Sequence, residues 1–208
     1  SDEMEYIGFE PNPTCYYYAK QLLKTNKFKN ISLVPVGISD SSNLGELHFF
    51  SNSSVDSSAS MISDFRDETK VLRKEFIPLF TVDDLEKSIK MMNLAILKID
   101  VEGGELEVIK GFYSKIKESK PIILMEILPA YSAKHAKRLN RQNELIDLLK
   151  RAEYLIYRIE IAKNAILNFK KLDGIEIHSN LNTCEYVMMP KEKESQFIDK
   201  IQHLKLSK

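Results

Sequence analysis

Short apolar runs of strand length alternate with stretches whose apolar residues recur at helical spacing. This alternation predicts an α/β fold, a mostly parallel sheet covered by helices, in a single domain over residues 1–208. Three observations carry the prediction. Leu94 to Val101 and Ile122 to Leu128 are nearly continuous apolar runs, as central strands buried on both faces require. Between them, Leu106, Ile109, Phe112 and Ile116 mark one face of a helix. At the start, a strand over Tyr6-Ile7-Gly8-Phe9-Glu10 leads straight into a helix, with Asn12 as its cap and Pro13 at its first position.

The other elements follow in order. Cys15, Tyr18, Ala19, Leu22 and Leu23 recur at i, i+3, i+4, i+7 and i+8, the apolar face of that first helix. Ile31 to Ile38 reads as a second strand. Leu47 to Phe50 reads as a third, after a turn at Asn43-Leu44-Gly45. Ser51 to Ser63 is serine-rich and poor in large apolar residues, which predicts a mobile surface loop, either a ligand-facing lid or a plain insertion. Asp83 caps a helix start, with Glu86 three residues on. Leu145, Leu148, Leu149 and Ala152 mark a third helix. Tyr154 to Ile161 and Cys184 to Met189 predict two antiparallel strands at the far edge of the sheet, and the tail from Lys191 a last helix.

Composition narrows the function. Lys plus Arg number 30 and Asp plus Glu number 30, so no net field favours nucleic acid or an anionic membrane. The apolar runs are too short to span a bilayer, no signal peptide is visible, and a cytoplasmic location is the expectation. Cys15 and Cys184 lie far apart with no CxxC or Cys/His cluster, so no metal site is expected; two free thiols are the simpler reading, with one buried disulfide the alternative.

Three places carry candidate chemistry. Glu10 ends the first strand, and in open α/β sheets ligands bind beyond the carboxyl ends of strands. A carboxylate there can accept hydrogen bonds from both hydroxyls of a ribose, while Pro11 and Pro13 stiffen its turn; the plain alternative is a surface acid before a capped helix. In Lys98-Ile99-Asp100-Val101-Glu102-Gly103-Gly104, three charged side chains alternate with apolar ones, which suggests a strand mouth opening into a cleft. Gly103 and Gly104 permit positive φ or close backbone approach; the alternative is a Lys98–Asp100 ion pair beside an ordinary turn. Glu126 is a lone acid inside an apolar run, and such a group is paired, protonated or functional. If its run pairs in parallel with that of Asp100, the two carboxylates share a sheet edge. A general base, a substrate-holding group and a divalent-cation ligand are then all open, as is a simple pairing of Glu126 with Lys98.

Phe9-Glu10-Pro11-Asn12-Pro13, Ile38-Ser39-Asp40 with Gly45-Glu46, Thr81-Val82-Asp83-Asp84-Leu85, Lys98 to Gly103, and Pro121 to Glu126 occur in this order over most of the chain. In sequence, order and spacing they resemble the FkbM family of S-adenosylmethionine-dependent O-methyltransferases. The resemblance implies a Rossmann-like class I methyltransferase with a three-layer sheet. It implies that Glu10, with Pro11 and Asn12, holds the ribose of S-adenosylmethionine, and that Ser39 and Asp40 lie near the adenine. Asp100 would sit at the boundary between cofactor and acceptor, and Asp100 and Glu126 would orient or deprotonate an acceptor hydroxyl on a sugar or natural product. In-line displacement at a sulfonium methyl needs positioning and a base, not a nucleophilic Ser or Cys.

The family's additional strand, glycine-rich turn and helix before the Glu10 strand have no counterpart in Ser1 to Glu5. The expectation is an N-terminally incomplete domain with an exposed sheet edge, and through that edge a homodimer. Two other readings stand beside the enzyme: a non-catalytic binding module on a degenerate methyltransferase fold, and a nucleotide-sugar or dinucleotide enzyme with the same ribose-binding acid, although no GxGxxG is present.

Overall fold

The computed structural model describes residues 4–53, 56, 59–62, 70–91, 93–162 and 165–206. The chain divides into two compact units, Ser1–Lys90 with Glu102–Phe112, and Met91–Val101 with Tyr113–Lys208. The α/β class is as expected, and the strands bond into three sheets.

In the first unit, β1 (Tyr6–Phe9), α1 (Pro13–Thr25) and β2 (Ile31–Val34) form a parallel crossover, with Tyr6 opposite Ile31 and Phe9 opposite Val34. The apolar face of α1 is less buried than its spacing implies: Tyr18 and Leu22 are 53% and 62% exposed. The run Ile31 to Ile38 is two strands rather than one. Pro35 has no N–H to donate, and the Val36 N–H turns back to the Val34 carbonyl at 2.9 Å, so β3 (Gly37–Ile38) starts afresh in another sheet. That sheet has the order β3-β5-β4, with β4 at Asn43–Phe49 and β5 at Arg73–Phe80.

Asn43 to Gly45 is therefore strand, not turn. Gly45 is where the Leu79 side chain crosses β4, since a Cβ there would lie 2.3 Å from Leu79 Cδ1. Leu47, Phe49, Ile77 and Leu79 alternate inward to make the core of this sheet, with Ala59 and Met61 packed on it. α2 (Val82–Leu85) is capped by Thr81, whose Oγ1 accepts the Asp84 N–H at 3.2 Å, two residues before the expected Asp83 cap. α3 (Glu105–Gly111) completes the unit.

The second unit holds a five-stranded sheet of order β6-β7-β10-β8-β9. β6 (Ile96–Ile99) and β7 (Ile122–Glu126) pair in parallel, and β10 (Glu185–Pro190) runs antiparallel to β7 and to β8 (Tyr154–Ala162). The antiparallel pairing of β8 with β10 is as expected, but these strands are not the far edge. β10 is central, and the edge is β9 (Ala165–Leu172), a hairpin partner of β8. α4 (Tyr113–Ser119), α5 (Ala136–Arg151) and α6 (Glu194–Leu206) are the helices of this unit. Phe197 of α6 sets its ring 5.2 Å from those of Tyr157 and Phe169, anchoring the tail helix on the face lined by Tyr157, Val187 and Met189.

Candidate functional site

The Glu10 turn is built from local hydrogen bonds. Asn12 Oδ1 accepts the N–H groups of Thr14 (3.0 Å) and Cys15 (3.4 Å), two of the donors a helix start leaves unpaired. The Glu10 N–H still reaches the Val34 carbonyl at 3.1 Å, which ties the turn to β2. The Glu10 carboxylate folds back so that Oε1 accepts the Asn12 N–H at 2.7 Å. Among the described residues no protein group occupies Oε2. Burial pushes the Glu10 carboxyl above the ordinary glutamate range, against the pull of the Asn12 N–H.

Beneath the turn lies Gly37. A Cβ there would sit 2.6 Å from Leu79 Cδ2 and 3.5 Å from Pro11 Cβ, so Pro11 rests over this glycine, two residues before Ser39. Ser39 is buried; its N–H donates to the Phe80 carbonyl at 2.9 Å, and its hydroxyl lies 3.4 Å from Oδ1 of exposed Asp40. The α3 backbone closes on the same segment, because a Cβ on Gly111 would come 2.2 Å from the Ser39 carbonyl oxygen. Glu10, Pro11, Asn12, Ser39 and Asp40 thus belong to one neighbourhood of the first unit.

The described residues of the serine-rich segment are not the free loop that its composition suggests. Of its described residues, Asp56 and Ser60 are 5% and 1% exposed. Asp56 Oδ2 accepts the N–H groups of Phe50 (3.2 Å) and Ser51 (3.1 Å), and the Asp56 carbonyl accepts Asn12 Nδ2 at 3.1 Å. Ser60 exchanges both backbone hydrogen bonds with His48 of β4, at 2.8 and 3.0 Å, and its hydroxyl donates to the Glu102 carbonyl at 2.6 Å. Residues 54, 55, 57, 58 and 63 lie outside the described residues. Asp56 was legible in principle, as the one acid between Ser51 and Met61. The turn that receives Ser60 has φ 99° at Gly103, as the glycine pattern suggests, and φ 48° at Glu102, which it does not; Gly104, at φ −88°, is instead the N-cap of α3.

In the second unit, register aligns the other candidates. Ile99 lies opposite Met125, which brings Asp100, just past β6, level with Glu126 at the end of β7. Glu126 in turn lies opposite Glu185 of β10, a third carboxylate that sequence reasoning missed, since nothing in its own segment shows which strand it joins. Lys98 Nζ is 3.1 Å from Asp100 Oδ2 and 4.0 Å from Glu185 Oε2. The Lys98–Asp100 pair therefore exists, but half-exposed, at 47% and 53%. Cys184 is buried beside these acids; burial first, then the charges of Glu126 and Glu185, push its thiol above the usual range. Both cysteines are free thiols. Among the described residues no cluster of three or more His, Cys, Asp or Glu is arranged to hold a metal ion, and no helix is long and apolar enough to cross a membrane.

A half-buried strand-end carboxylate with one oxygen held by a backbone N–H and the other open can accept hydrogen bonds from vicinal hydroxyls such as those of a ribose. A search of curated proteins found no match. A search of solved structures found a chain titled methyltransferase FkbM from Methylobacillus flagellatus KT, 16% identical, with a TM-score of 0.49; the match covers 88% of this chain and 36% of that one. The model of the methyltransferase FkbM domain matches residues 2–156, more than half of the 208 residues, and the chain therefore belongs to the FkbM methyltransferase family.

Proposed function

We propose that this chain is the catalytic core of an S-adenosylmethionine-dependent O-methyltransferase whose acceptor is a hydroxyl on a sugar or natural product. Family membership supports methyl transfer. The observation that carries the cofactor assignment is the Glu10 carboxylate at the mouth of β1, held through Oε1 by the Asn12 N–H at 2.7 Å. In this reading Glu10 accepts hydrogen bonds from the ribose hydroxyls, and Pro11 and Asn12 keep it in place. Ser39 and Asp40, in the same neighbourhood, border the adenine. When bound, the cofactor supplies an electrophilic methyl group on a sulfonium. Asp100 and Glu126 orient the acceptor hydroxyl or take its proton, and both stand at carboxyl ends of parallel strands, where such groups reach a ligand.

Glu10→Ala in the full-length protein tests the assignment by calorimetric titration with S-adenosylhomocysteine. Two charge-assisted hydrogen bonds of roughly 1.5–3 kcal/mol each are removed, so affinity should fall more than about tenfold. Unchanged affinity would refute the ribose role.

A further inference from the structure

We propose that Asp56 is a positioning residue for Glu10: through Asn12 it couples the hydrogen bonds it makes at the end of β4 to the presentation of the ribose-binding carboxylate. The inference rests on the ribose role proposed for Glu10.

Asn12 is the joint. It is 4% exposed, and each of its polar groups is engaged. Its N–H holds Glu10 Oε1, its Oδ1 caps α1 at Thr14 and Cys15, and its Nδ2 donates to the Asp56 carbonyl at 3.1 Å. The two ends of a buried amide are not interchangeable. Turned over, Asn12 would set its NH2 group against two N–H donors and its oxygen against a carbonyl. The Asp56 carbonyl therefore favours the orientation that caps α1, and it anchors the side chain of the residue whose backbone N–H holds Glu10. That carbonyl is held in turn by its own side chain, because Asp56 Oδ2 gathers the N–H groups of Phe50 and Ser51 where β4 ends. Downstream, the ladder between Ser60 and His48 closes the segment. Burial first, then the charges of Glu10 and Asp56, push the Cys15 thiol above its ordinary range.

Coupling of this kind is reciprocal. Ligand on Glu10 should tighten the Asp56 hydrogen bonds to the Phe50 and Ser51 N–H groups, and loosening those bonds should weaken the ligand. In the full-length protein, Asp56→Ala should lower affinity for S-adenosylhomocysteine about fivefold or more, within the usual range of site-to-site coupling. Asp56→Asn, which keeps an acceptor oxygen, should restore most of it. In a Glu10→Ala background the same Asp56→Ala change should cost almost nothing, since its effect runs through Glu10. A merely structural Asp56 would give equal losses in both backgrounds, and that result overturns the proposal. A second measurement needs no variant: in the unmodified protein, S-adenosylhomocysteine should slow hydrogen exchange at the Phe50 and Ser51 amides. Unchanged exchange there at saturating ligand also overturns it. Unchanged affinity in Glu10→Ala alone would instead remove the ribose reading and this one together. A normal loss there, without coupling to Asp56, removes only the present proposal.

Discussion

Asp100→Asn separates a structural from a chemical role for the most charged strand end in the chain. The substitution keeps size and removes charge, so it breaks the 3.1 Å pair with Lys98. Had that pair been buried, losing one partner would leave an uncompensated charge and cost about 3–5 kcal/mol. It is not buried: the two side chains are 47% and 53% exposed, and Lys98 keeps Glu185 at 4.0 Å. An exposed pair is worth about 0.2–1 kcal/mol and is screened by salt. For a chain of this size, 1 kcal/mol moves Tm by roughly 2–4 °C, so the melt should shift by at most about 4 °C. If Asp100 orients or deprotonates the acceptor, turnover should instead fall about 10²- to 10⁴-fold, with affinity for S-adenosylhomocysteine nearly unchanged. Thermal melts beside single-turnover methyl transfer in the full-length protein make the comparison. A Tm drop beyond roughly 6 °C, the least that a buried pair would give, together with undiminished turnover would refute the reasoning.

Two further predictions concern the first unit. Gly111→Ala should destabilise it by about 1–3 kcal/mol, because the new methyl would come 2.2 Å from a backbone oxygen, Ser39 O, which cannot swing aside like a side chain; a wild-type denaturation midpoint would contradict this packing. Asp84 accepts hydrogen bonds from Lys87, Ser42 and Thr81, which hold its carboxyl down at about 2 against an ordinary 3.8. Its contribution to stability should thus be whole above about 3.8 and vanish as pH falls through about 2, so Asp84→Asn should flatten the stability curve in that window; an unchanged acid limb would count against the network.

What the sequence determined by itself was local. Asn12 before Pro13 starts a helix because the cap and the proline act within one turn of chain. The apolar runs of β6 and β7 declare themselves because a strand covered on both faces needs no polar side. Placing Glu10, Asp100 and Glu126 at strand ends required no more than this. What escaped depends on partners far along the chain. β5 carries Pro78, which argues against a strand; it is tolerated because pairing with β3 begins only at Leu79. β9 mixes Asn168, Lys170 and Lys171 with apolar residues, as an edge strand can, and only its hairpin with β8 identifies it. Nothing in Cys184 to Met189 announces that this run inserts between β7 and β8, yet that insertion sets Glu185 opposite Glu126. Asp56 and Ser60 read as loop by composition. They are buried because hydrogen bonds to Asn12, His48 and Glu102 satisfy them, and the first and last of these partners lie more than forty residues away in sequence. Capping and periodicity are properties of neighbours in the chain; strand order and the pairing of buried polar groups are decided when distant segments meet, and only the folded molecule records them.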